Sequence, residues 1–243
     1  MRMGSNESVF EGNPEGESAN YINSMNSGNR LRDVTSKVAL RARRQMYDSF
    51  ITALQPCAQT TIVDIGVTAN TSTEGSNFLE TWYPHSARIT ATSIEDASNL
   101  ESLHPGLRFV QTSGDRLPFA DREFDIAFSS AVIEHVGDRA RQRRFLDELL
   151  RVSNHFFITT PDRGFPVELH TFLPFAHWLP QRHHQRVLRA VGLTPWAKTE
   201  NLNLLSEHGL RELFPLEVQP TIGGPRLFGM RSNLVAFGSS PVR

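Results

Sequence analysis

The residues with the clearest capacity for chemistry are Glu168 and His170, set two apart in a segment rich in proline and aromatic side chains between Thr160 and Pro180. An imidazole titrates near neutrality, so His170 can take a proton from an oxygen nucleophile, and Glu168 can orient it or stand in for it. The same two side chains could equally hydrogen-bond the loop that carries them. His177, His183 and His184 form a second group. No cysteine or acid stands at metal-ligand spacing from them, and they read as lid or surface histidines. Cys57, the single cysteine, follows Pro56 and reads as a small packed residue. A lone cysteine excludes an internal disulfide framework and a cysteine-rich metal site, and it suits a reducing compartment.

Such residues act only if rigid elements present them. Thr60 to Gly66 is a short β-branched run ending at glycine, which predicts a buried strand meeting a loop. Further strands are predicted over 88–94, 107–110, 124–128 and 155–160. An amphipathic helix is predicted from Leu31 to Leu54, with Val34, Val38, Met46, Phe50 and Leu54 apolar among arginines. Asp138 to Val152 is the clearest helix: Asp138 caps it, Phe145, Leu146, Leu149 and Leu150 share a face, and Asp147 stands four before Arg151. Its arginines at 139, 141, 143 and 144 read as a solvated face. A last helix, Ser206 to Phe214, precedes strands predicted near 216–219 and 233–238. Alternating strands and helices in this order imply an α/β protein: a Rossmann-like, doubly wound, mainly parallel seven-stranded sheet with helices on both faces.

The chain has 243 residues, 39% hydrophobic and 21% charged, with a formal net charge of −1. That length suits one domain and a tail. Ser, Asn, Gly and Glu dominate residues 1–30, so a disordered tail is expected there, followed by a domain over 31–243 with an insertion at about 161–199. The near-neutral charge argues against a phosphate-tracking nucleic-acid surface. No run approaches the length of a membrane-spanning helix and residues 1–30 hold no signal-like apolar run, so a cytoplasmic protein is expected.

In doubly wound sheets, ligands bind beyond the carboxyl ends of the strands where strand order reverses. The loop after the first strand reads Asp64-Ile65-Gly66-Val67-Thr68-Ala69-Asn70, and it lacks the Gly-x-Gly-x-x-Gly turn that seats a dinucleotide pyrophosphate. Further on come Leu117-Pro118-Phe119-Ala120-Asp121, Phe124-Asp125, and Ile133-Glu134-His135-Val136. Asp-x-Gly followed by these three in this order resembles the class I S-adenosylmethionine-dependent methyltransferases, over about 60–160.

The resemblance implies an enzyme that uses S-adenosylmethionine as cofactor. Gly66 and Val67 would let backbone amides approach its carboxylate end, and Asp64 would organise that loop and help hold the ammonium. The ribose-binding position falls on Ser93, next to Ile94, with Glu95 or Asp96 as substitute acids; the adenine-side position falls on Ser113, next to Gly114, with Asp115 as its replacement. Ser129, Ser130 and Ala131 would form the floor beside the methionine portion, and His135 would open the next helix facing the crevice. Some relatives carry a Glu-x-x-Glu-His metal site, but its first position here is Ala131, so no metal is expected. The acceptor expected is an oxygen or similar nucleophile on a small molecule, glycan or lipid-linked compound, met at the 161–199 insertion, whose aromatic run could also touch a membrane surface. The alternative is a degenerate member of the fold acting as a binding or scaffold module, motivated by Ser93, Ser113 and the glycine-poor loop.

Overall fold

The computed structural model describes residues 29–71, 75–112, 116–168 and 170–241, with side chains from Ser36 onward. The tail expected over 1–30 lies outside the described residues except at its end, where the first helix already begins.

Helix α1 (Asn29–Leu54) leads into β1 (Ile62–Ile65), α2 (Phe78–Trp82), β2 (Ile89–Ser93), α3 (Asn99–Leu103), β3 (Arg108–Gln111) and β4 (Phe124–Ser130). Then come α4 (Arg139–Val152), β5 (Ser153–Pro161), α5 (Gln181–Ala190), α6 (Glu207–Arg211), β6 (Thr221–Gly223), the β7 (Arg226–Leu227) and β8 (Met230–Arg231) ribbon, and β9 (Asn233–Ser239). Seven strands form one sheet in the order β3-β2-β1-β4-β5-β9-β6. β3, β2, β1, β4 and β5 run parallel, and β9 is antiparallel to both β5 and β6. Strand order reverses between β1 and β4, so the crevice opens above those two strands.

Successive side chains point to opposite faces of a strand, and both faces here are apolar. Val63, Ala127, Phe156 and Leu234 pack on one side with Phe145, Leu146 and Leu149 of α4. Their neighbours Ile62, Ile126, Phe157 and Val235 pack on the other with Met46, Tyr47 and Phe50 of α1. The Asp138 side chain accepts from the Arg141 amide and Ser206 from Gly209, so both expected caps form. No strand forms at 216–219. The Val218 amide turns back onto the Pro215 carbonyl, Leu216 is 94% exposed, and the edge strand begins only after Pro220, which has no amide to donate.

The spacing of Asp147 and Arg151 suggested a pair, but Arg151 turns to Glu148 at 2.8 Å and to Asp121 at 2.8 Å. It also donates to the carbonyls of Leu117 (3.0 Å) and Phe119 (2.9 Å), while Glu148 accepts from the Leu117 amide at 2.9 Å. Leu117 and Phe119 are thereby driven into the core, where Phe119 meets Phe124 edge-on. The Leu-Pro-Phe segment is thus a clamp that seats the start of β4.

At the other end of the central strands, Asp64 and Glu80 are buried together, at 5% and 2% exposure. Apart from the Asp64 carboxyl itself, no donor reaches either oxygen of Glu80. Burial, and then the Glu80 charge, push the Asp64 carboxyl well above its usual range, so a protonated Asp64 satisfies the pair by donating to Glu80.

Two outcomes follow from these contacts. Arg151→Ala should lower unfolding stability by about 3 kcal/mol in urea denaturation, because it strips several charge-assisted bonds from a half-buried cluster. For Asp64, the folded pKa lies above the unfolded one, so its contribution is complete below the ordinary carboxylate range and is lost as pH rises through the raised value. The urea midpoint should therefore fall on raising pH above about 4, and Glu80→Gln, whose amide can donate to Asp64, should flatten that decline; an unchanged slope would remove the shared proton.

Candidate active site

The crevice is built first by the turns after β1 and β2. Gly66 has φ +99°, and a Cβ there would sit 2.3 Å from Val132 Cγ2. The glycine is thus required by the approach of the β4 loop, and any side chain at 66 strains the fold itself. The amides expected to meet a ligand carboxylate are engaged elsewhere: Gly66 and Val67 both donate to the Thr92 carbonyl, at 2.8 and 3.0 Å. Thr68 donates to Asn77 Oδ1 and Asn70 to Thr68 Oγ1, so the loop closes on itself. Asp64 is committed to Glu80.

After β2, Ser93 Oγ accepts from the Glu95 amide, and Asp96 accepts from the Ser98 amide at 3.0 Å. That leaves Glu95 as the exposed acid at the strand end, beside Ile94, which is 46% exposed. A carboxylate next to an open aliphatic surface fits a ribose diol and an adenine face. Ser113, Gly114 and Asp115 lie outside the described residues. On β4, Ser129 Oγ donates to the Ile65 carbonyl and is buried, Ser130 bonds Thr159, and Ala131 is exposed with φ +58°. Ser129 therefore ties strands together rather than facing a ligand.

Beyond Ala131 the chain makes a 3-10 turn, Ile133–His135, separate from α4. His135 therefore stands on its own turn instead of opening the helix. Glu134 is fully buried: its Oε2 accepts from Thr160 Oγ1 at 2.9 Å, and its Oε1 has no hydrogen-bond partner. His135 Nδ1 donates to the Asn201 carbonyl at 2.7 Å, the only role a carbonyl permits.

The insertion brings the second half. Asp162 anchors its start, accepting from Arg231 at 2.7 Å and from the Gly164 amide at 2.8 Å. Leu188, Leu193, Trp196, Ala197 and Leu202 form a small core of its own. Glu168, 3% exposed, folds under the following turn and accepts from the amides of His170 (2.8 Å) and Thr171 (2.6 Å). It also meets His170 Nδ1 at 2.6 Å. Burial alone would raise Glu168, but the His170 charge and these bonds outweigh it and hold the carboxyl down to about 2. The expected pairing of Glu168 with His170 is therefore present.

His170 Nε2 then points at His135 Nε2, 3.1 Å away, with Trp196 packed beside both rings. Glu134 Oε1 lies 3.9 Å from His135 Nε2. Glu134, His135 and His170 bring three ligand atoms within 4.8 Å of one another and could hold a metal ion. Ala131 supplies no ligand; the third donor arrives instead from 35 residues away, where spacing within one motif cannot show it. Glu134, Trp196 and Asn201 were not singled out by sequence, and only Glu134 carried a signal, its place in Glu-His. His177 is buried within the insertion, bonded to the Phe165 carbonyl. Cys57, expected to be packed, is exposed, and hydrogen bonding from Thr60 lowers its thiol pKa.

Comparison with known proteins agrees with this architecture. Residues 75–155 match the family model described as a methyltransferase domain. No curated protein matches the sequence. Among solved structures, a Thermotoga maritima SAM-dependent methyltransferase, possible histamine N-methyltransferase, superposes with TM-score 0.54 at 16% identity, covering 94% of this chain and 100% of that one. The N-methyltransferase NodS from Bradyrhizobium japonicum, in complex with S-adenosylhomocysteine, gives 0.51 at 15% identity, covering 82% and 87%. These identities speak to fold, and the domain match speaks to chemistry. Among the described residues no helix is long and apolar enough to cross a membrane. With its strand order, the β1–β4 reversal and the match over residues 75–155, the chain carries a methyltransferase domain on a Rossmann-like sheet similar to those of S-adenosylmethionine-dependent methyltransferases.

Proposed function

We propose that this enzyme, acting in the cytoplasm, methylates an oxygen or similar nucleophile on a small molecule, glycan or lipid-linked acceptor. The observation that carries this reading is the His135–His170 pair with Glu168 behind it, a proton-accepting centre set where the insertion meets the crevice. An amine acceptor can bring its own lone pair, whereas a hydroxyl must lose a proton, and this centre supplies a place for it. The exposed aromatics of the insertion, Phe172, Phe175 and Trp178, offer an apolar surface for the rest of the acceptor or for its lipid.

S-adenosylmethionine, when bound, supplies a methyl group on a sulfonium that departs as a neutral thioether when a lone pair attacks in line. Glu95 would hold the ribose hydroxyls and Ile94 would cover the adenine, with Ala131 and Ser130 bordering the methionine portion. Glu168 accepts from His170 Nδ1, which fixes the tautomer with its lone pair on Nε2. The acceptor proton is lost at the His135–His170 pair, and Trp196 keeps bulk water from the flank of both rings. His170 is the catalytic residue in this scheme, and Glu168 is a positioning residue.

Glu95→Gln should weaken S-adenosylmethionine binding about tenfold in calorimetric titration, the scale of one charged hydrogen bond, while Asp96→Asn should leave it unchanged. His170→Ala should lower kcat by about 10²–10⁴-fold with cofactor affinity unchanged. Glu168→Gln should lower kcat by about tenfold or more at constant acceptor KM. The reading is tested directly by incubating the protein with methyl-labelled cofactor and a panel of hydroxyl-bearing sugars, lipid-linked sugars and matched amines. Label on oxygen supports it, and label confined to nitrogen, or full turnover by His170→Ala, overturns it.

A further inference from the structure

We propose that Glu134, His135 and His170 form a binding site for one divalent transition-metal ion. The argument starts from where the protons must be. His135 Nδ1 faces the Asn201 carbonyl at 2.7 Å and His170 Nδ1 faces the Glu168 carboxylate at 2.6 Å. Each Nδ1 therefore carries a proton, and when the rings are neutral each Nε2 presents a lone pair. Those lone pairs converge at 3.1 Å. Beside them stands Glu134 Oε1, fully buried, 3.9 Å from His135 Nε2 and without a hydrogen-bond donor. Two imidazole nitrogens and a buried carboxylate oxygen within 4.8 Å of one another need a cation among them, either a proton on one ring, which makes the Nε2–Nε2 contact a hydrogen bond, or a metal ion that displaces it.

The dimensions suit a metal. Bonds of about 2.0–2.1 Å in tetrahedral geometry place ligand atoms roughly 3.3 Å apart; the two Nε2 atoms are already close to this spacing, and Glu134 Oε1, with all three atoms within 4.8 Å of one another, has to move inward by under about 1.5 Å to complete it. Two imidazoles and one carboxylate select zinc, iron(II), manganese or cobalt over calcium and magnesium, and leave open positions on the ion. The surroundings are those of ligands already oriented. Glu168 and the Asn201 carbonyl each accept from the far nitrogen of a ligating ring, and Thr160 holds the other oxygen of Glu134. Trp196 walls the rings on one side.

The role of this site rests on the methyl-transfer reading, although its existence does not. An acceptor hydroxyl that fills an open position on the ion loses its proton more readily than a free one. With both Nε2 lone pairs on the ion, His135 and His170 act as ligands in the metal-loaded protein and that proton passes to solvent; His170 acts as the base only where the ion is absent.

The test uses the full chain after chelator treatment, with neither cofactor nor acceptor present, titrated with Co²⁺, Zn²⁺ and Mn²⁺ by calorimetry and, for Co²⁺, by visible absorption. One equivalent should bind with micromolar or tighter affinity and give a Co²⁺ ligand-field spectrum of nitrogen and oxygen ligands. Glu134→Gln and His135→Asn should weaken binding at least 100-fold. Glu168→Gln, outside the ligand set, should weaken it about 10- to 100-fold, and exposed His208→Asn should not change it. Should the ligand variants fail to fold, the metal-dependent rise in Tm of wild type and its reduction in Glu168→Gln decide the matter. No binding by wild type at millimolar metal, or binding indifferent to Glu134→Gln and His135→Asn in folded protein, overturns the site. Cofactor titration separates the two ideas: retained S-adenosylmethionine binding without metal binding removes only the ion, and metal binding without methyl transfer to oxygen removes only the proposed function.

Discussion

The pairing of β1 with β4 is the constraint on which everything else hangs. A parallel register is a weak thing in itself, since a slip of one residue exchanges the two faces of a strand. Here side chains lock it at both ends. Asp125 accepts from the Thr61 amide and hydroxyl where the strands begin, and Ser129 donates to the Ile65 carbonyl where they finish. With Val63 opposite Ala127 and Asp64 opposite Phe128, the loops after both strands emerge side by side. Val132 then lies so close to Gly66 that no side chain fits between them. The crevice is the space these two locked strands leave above their ends.

The motif block that made the family legible serves this scaffold more than the chemistry. Leu117 and Phe119 are core residues held down by Arg151 and Glu148, Phe124 packs on Phe119, and Asp125 sets the register. Such contacts depend on local spacing and burial, which is why strands and helices could be read almost to their ends. The edge was harder: Pro220 moved β6 beyond its predicted place because a missing amide outweighs an apolar run. The site was half legible. Glu168 and His170 are close in sequence and their bond follows from that. The meeting of His170 with His135 and of His135 with Asn201 spans separations of 35 and 66 residues. No periodicity carries such information; it is created when the insertion docks.

That docking has a cost which the structure shows where it is offset. Phe172 and Phe175 both take left-handed backbone conformations, at φ +55° and +58°. For bulky residues each such conformation costs about 1–2 kcal/mol. Both follow His170 in the chain, on the far side of the turn that presents it. Glu168 opposes the strain by accepting two amides of that turn, and the Phe175 amide bonds the Pro166 carbonyl across it. The carboxylate that orients the imidazole is therefore also the one that stabilises the turn. Two of the left-handed non-glycine residues among the described residues thus fall within five positions of His170, in the turn that Glu168 holds together.

The cofactor side follows a different economy. In this chain the first loop has turned its amides inward, onto Thr92, Asn77 and Thr68. A loop that satisfies itself needs few glycines, and the single close approach at Gly66 is to Val132. Past β2, Glu95 and Asp96 are both exposed, and Asp96 Oδ1 accepts from the Ser98 amide. Ser93, where the resemblance leads one to expect an acid, takes part in the same local bonding. Its hydroxyl accepts from the Glu95 amide, so the serine holds the backbone that carries an acid two residues further along. A serine at the strand end and a carboxylate just beyond it are, on this geometry, parts of one local arrangement, since the position of the second rests on a hydrogen bond to the first.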